Sequence, residues 1–100
     1  MKYEKLVRDR IPEIIRSKGV EPVVHIATEE EYREKLRMKL REEVDEYLES
    51  GSPEELADIL EVVYALGDAA GVSREDIERL REAKAVERGA FKEHIILDES

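Results

Sequence analysis

In Arg41-Glu42-Glu43-Val44-Asp45-Glu46-Tyr47-Leu48-Glu49-Ser50-Gly51-Ser52-Pro53-Glu54-Glu55-Leu56-Ala57-Asp58, one helix stops and another starts within three residues. Gly51 is the stop, because glycine takes the left-handed conformation that closes a helix C-terminus. Ser52-Pro53-Glu54-Glu55 is the start: an N-cap hydroxyl, a proline at the first helical position and an acidic residue at N3. So short a connection makes the two helices antiparallel neighbours.

Working outward, Thr28 followed by Glu31 reads as a capping box that opens a helix over about 29–49. Tyr32, Leu36, Leu40, Val44, Tyr47 and Leu48 form one apolar stripe along it. The next helix runs from 53 to about 70, where Gly71 ends it. Leu56, Ile59, Leu60, Val62, Val63, Tyr64 and Leu66 cover almost its whole circumference, which suits a core or a subunit interface. A third long helix begins at Ser73, with Asp76 at N3 and Ile77, Leu80 and Ala83 on one side, and ends near Arg88-Gly89. Closer to the N-terminus, Pro12 and Lys18-Gly19 frame a two-turn helix around Ile11, Ile14 and Ile15. Val23-Val24-His25-Ile26 is short and β-branched, a strand or extended segment, and Ile95-Ile96-Leu97 is β-prone and available to pair with it. The expected fold is all-α: an antiparallel helical hairpin joined by further helices into a bundle, completed by oligomerisation, with a minor extended patch. Residues 1–100 are read as one domain.

The chain has no Cys, which excludes disulfides, thiolate metal sites and a Cys nucleophile. With no Trp and a single Phe, platforms for stacking bases are scarce. A net charge of −9 argues against binding along a nucleic-acid polymer. It is compatible with a small phosphate ligand, since a divalent ion on carboxylates inverts the local sign. The start, MKYEKLVRDR, lacks an apolar signal core, and no apolar run reaches membrane-spanning length, so the expected location is cytoplasmic with no membrane partner.

Most of the 26 acidic residues need only solubility as their reason. Glu43 and Glu46 are different: three apart, they share a helix face at the margin of the apolar stripe. Glu55 and Asp58 repeat that spacing on the next helix, and the tight turn brings the two pairs together. Four converging carboxylates repel unless protonated or bridged, and Asp58 sits among apolar neighbours where an isolated charge costs several kcal/mol. A hard dication, Mg²⁺ or Mn²⁺, resolves both difficulties with oxygen ligands alone. Plainer roles stay open for each residue. Glu55 serves as a capping residue, Asp58 as partner to an arginine of another helix, and Glu43 and Glu46 as solvated groups balanced by Lys39 and Arg41.

Glu42-Glu43-Val44-Asp45-Glu46 fits EExxE and Glu55-Leu56-Ala57-Asp58 fits ExxD. Together they resemble the metal-binding signature of the MazG-like all-α NTP pyrophosphatase superfamily, which includes phosphoribosyl-ATP pyrophosphohydrolases and dimeric dUTPases. Lys5-Leu6-Val7-Arg8-Asp9-Arg10-Ile11-Pro12 is similar to the opening motif of a small MazG-related family, and Lys84 with Glu87-Arg88-Gly89-Ala90-Phe91 to its closing one. Two departures stand out. Only eight residues separate Glu46 from Glu55, fewer than in many members, and Ala90 replaces a frequent second glycine.

The resemblance implies Mg²⁺-dependent cleavage between the α- and β-phosphates of a nucleoside triphosphate, giving monophosphate and pyrophosphate. Glu43, Glu46, Glu55 and Asp58 would hold the metal, and Glu42 or Glu43 would orient or deprotonate water. Lys5, Arg8, Arg10, Lys84 and Arg88 are candidates for the triphosphate, with ordinary surface charge as the alternative. The expected assembly is a homodimer or homotetramer acting on nucleotides, non-standard ones included, in a house-cleaning role. A phosphoribosyl-ATP pyrophosphohydrolase and a noncatalytic helical interaction module are the alternatives. His25 and His94 lack further ligands at metal-binding spacing, and no GxxxxGK[ST] phosphate loop is present.

Overall fold

A computed structural model describes residues 4–100. It is all-helical, with α1 at Ile11–Ser17, α2 at Glu29–Ser50, α3 at Pro53–Ala69 and α4 at Arg74–Arg88. Local chemistry accounts for most boundaries. The Thr28 hydroxyl accepts the Glu31 N–H at the start of α2, and the Ser52 hydroxyl accepts the Glu54 N–H at the start of α3. Ser73 and Asp76 form a full reciprocal capping box on α4. At Thr28 the box is half-formed: the Glu31 carboxylate lies 3.0 Å from His25 Nε2 of the preceding segment. Gly51 closes α2 with φ +67°, its N–H donating to the Tyr47 carbonyl.

α2 and α3 form the hairpin and bury its core. Arg33, in the first turns of α2, donates to the carbonyl of Ala69 at the end of α3, so the helices run antiparallel. Leu36 and Val62 are the buried apolar residues between them. α4 begins against α3, with Ile77 packed on Gly67 and the Arg74 guanidinium 4.4 Å from the Tyr64 ring centroid. Among the described residues α4 packs on no other helix, and α1 on none.

The extended patch needs correction. Among the described residues there is no strand, and Val23–Ile26 does not pair with Ile95–Leu97. A β-prone segment becomes a strand only when a neighbour completes its hydrogen-bond ladder. Here Val23, Ile26, Ile95, Ile96 and Leu97 are exposed instead. No described helix is long and apolar enough to cross a membrane.

Candidate metal centre between α2 and α3

The hairpin turn sets the centre. Glu43 lies two turns before the end of α2, and Glu55 and Asp58 lie in the first two turns of α3. Their carboxylates each offer an oxygen within 4.8 Å of the others. Glu43 is 7% exposed, and its Oε2 is buried with no hydrogen-bond partner. Burial pushes its carboxyl above the usual carboxylate range, and neighbouring Glu46 adds to that against the opposing pull of Lys39. Glu55 is also pushed up, through desolvation and then the charges of Asp58 and Glu43. Glu46 interacts with both Glu43 and Glu55 but stands outside the tight trio.

Cations ring this cluster. Arg8 Nη2 donates to Asp58 Oδ1 at 2.6 Å, tying the segment before α1 to α3. Asp58 therefore does pair with an arginine, from a non-helical segment rather than another helix. Lys39 Nζ lies 3.2 Å from Glu42 and 3.3 Å from Glu43. Lys5 reaches Glu42 at 3.1 Å. Burial opposes ionisation of Glu42, yet hydrogen bonds and charge from Lys5 and Lys39 hold its carboxyl below the ordinary value.

The other phosphate candidates are elsewhere. Arg10 pairs with Glu13 at the start of α1. Lys84 and Arg88 are exposed on the far part of α4, a helix that touches only α3. The structure thus gathers Lys5 and Arg8 around the carboxylates within one chain, but not Arg10, Lys84 or Arg88. Sequence reasoning missed the Arg8–Asp58 pair, since residues 50 apart carry no local signal. Lys39 was legible as a counter-charge through its spacing of three and four from Glu42 and Glu43.

No family model and no solved structure matches the chain. A 42-residue stretch is 52% identical to an uncharacterised protein of Mycolicibacterium smegmatis (strain ATCC 700084 / mc(2)155), covering 42% of this chain and 43% of that protein. The match spans less than half of the relative's length.

Proposed function

We propose that this protein is a Mg²⁺-dependent nucleotide pyrophosphohydrolase of the MazG-like kind, converting a nucleoside triphosphate to monophosphate and pyrophosphate. One observation carries the reading: a buried Glu43 with an orphaned oxygen sits within 4.8 Å of two further carboxylates on the next helix. An orphaned buried acceptor costs about 1–3 kcal/mol, more when charged. The donor set fits a hard dication, being oxygen only, and Mn²⁺ suits it equally.

Glu43, Glu55 and Asp58 would hold the ion, with Glu46 beside them. When bound, Mg²⁺ supplies Lewis-acid polarisation of the α-phosphoryl group and neutralises its developing charge. Of the two candidates for activating water, Glu42 is held ionised by Lys5 and Lys39 and is a poor proton acceptor. Glu43 would be committed to the ion, so Glu42, outside the trio, is left to orient the attacking water. The water oxygen would bond to the α-phosphorus, its proton passing to solvent, as the bond to the bridging oxygen breaks and pyrophosphate leaves. Arg8, which donates to Asp58 Oδ1 beside the cluster, would offer its remaining guanidinium N–H groups to the phosphates. A second copy of the chain would cover the exposed Leu56 and Leu60 ridge of α3, giving a homo-oligomer.

A panel of nucleoside triphosphates, phosphoribosyl-ATP included, tests the reaction by pyrophosphate release with Mg²⁺. At least one substrate is expected to give equimolar monophosphate and pyrophosphate. Chelation and Asp58→Asn are each expected to reduce the rate at least about 100-fold, the scale of lost electrostatic stabilisation at a reacting centre. A silent panel, or full activity in Asp58→Asn, contradicts the proposal and favours a noncatalytic module.

A further inference from the structure

A cavity of about 190 Å³ opens between the segment before α1 and α2, lined by Lys5, Leu6, Lys35, Met38, Lys39 and Glu42. Three ammonium groups therefore meet one carboxylate, in a chain whose net charge is −9. Lys5 and Lys39 both pair with that carboxylate, at 3.1 and 3.2 Å. Lys35 is half-buried, and among the described residues no carboxylate pairs with it. An anionic ligand would give Lys35 the counter-charge that no described carboxylate supplies. Lys35 and Lys39 are one turn apart on the same face of α2. Lys39 also touches Glu43, so the basic cavity abuts the acidic cluster directly. Leu6 and Met38 form an apolar wall, which lowers the local dielectric and strengthens an ammonium–phosphate contact.

We infer that this cavity seats the distal phosphates of a polyphosphate chain whose other end lies at the Glu43–Glu55–Asp58 cluster, with Lys35 and Lys39 as its binding groups. The inference rests on reading that cluster as a divalent-metal site. On that reading the substrate is a triphosphate, and the cavity would take the phosphates beyond the one at the cluster. It also gives Lys35, on α2, the role that the sequence had offered to Lys84 and Arg88.

The test titrates inorganic tripolyphosphate into the Mn²⁺-loaded full chain by calorimetry, with orthophosphate in parallel. Lys35→Gln is expected to weaken tripolyphosphate about tenfold, as for loss of one charge-assisted contact, and to leave orthophosphate within about twofold. Lys35→Arg is expected to recover most of the loss, and circular dichroism to show the same helix content throughout. Tripolyphosphate binding unchanged in Lys35→Gln overturns the inference even if the protein releases pyrophosphate, because the tail then lies elsewhere. Wild-type protein that binds no tripolyphosphate overturns it too, as does an equal loss for orthophosphate. Mn²⁺ affinity, measured first without anion, reports separately on the metal reading. Lys35-dependent tripolyphosphate binding in a protein that hydrolyses nothing keeps the seat and discards only the reaction.

Discussion

At Glu43 the chain buries a carboxylate oxygen that no donor reaches. The pattern of residues placed Glu43 at the edge of the apolar stripe; α3 packs closely enough to cover it. Its raised carboxyl fixes the sign of a pH effect. Unfolded, Glu43 titrates near the ordinary 4.5, so the folded state holds the proton to higher pH. This contribution favours folding below the unfolded value and is lost as pH rises through the folded one. Metal-free Glu43→Gln protein is therefore expected to be more stable than wild type at pH 7, by about 1 kcal/mol, the scale of an unsatisfied buried acceptor. The advantage should vanish as pH falls below 4.5, where both states of wild type are protonated. Thermal melts in chelator across that range check it, and a destabilised variant at pH 7 contradicts it.

Helix boundaries were the most legible features, since each is set by short-range chemistry. Ser52-Pro53 and Ser73 with Asp76 announce α3 and α4 through groups that satisfy free backbone N–H donors. Gly67 carried no such signal, because nothing near it in sequence shows that Ile77 packs there. A Cβ at Gly67 would stand 2.7 Å from Ile77 Cδ1 and 2.8 Å from the Val72 carbonyl oxygen. Helix propensity alone favours alanine over glycine by about 1 kcal/mol. The side chain can yield, but the backbone carbonyl closing the α3–α4 turn cannot do so cheaply. Gly67→Ala is accordingly expected to destabilise by about 1–3 kcal/mol, the range for overpacking. Denaturant titration checks the sign, and a gain in stability would mean that the turn relaxes freely.

On the scale of the whole molecule, the single chain is extended. Its radius of gyration is 17.5 Å, against about 13 Å for a compact domain of this length. Leu48, Leu56, Leu60, Leu80 and Val86 stay exposed on the three long helices. The all-round apolar α3 read from the sequence matches this: α2 covers one side, and the Leu56–Leu60 side is open. A second copy is expected to close it, giving a mass in solution that is a multiple of 11.6 kDa. Leu60→Glu should shift the protein to monomer with its helices intact; light scattering that finds wild type monomeric at micromolar concentration rejects the assembly. The β-prone segments were misread because periodicity reports what a segment prefers, whereas a strand also needs a partner. The closeness of Glu43, Glu55 and Asp58 was legible because these residues sit beside a short turn between neighbouring helices. Arg8 joins them only through the path of the chain before α1.

The central claim is that the hairpin holds a divalent ion between Glu43, Glu55 and Asp58. Electron paramagnetic resonance of Mn²⁺ titrated into the 100-residue chain reads this directly, since the free aqueous ion gives a distinct signal. Wild type is expected to remove Mn²⁺ from solution saturably, with Mg²⁺ displacing it and both Glu43→Gln and Asp58→Asn weakening binding at least about tenfold. A wild-type signal that stays that of the free ion, or binding that both variants retain in full, contradicts the account.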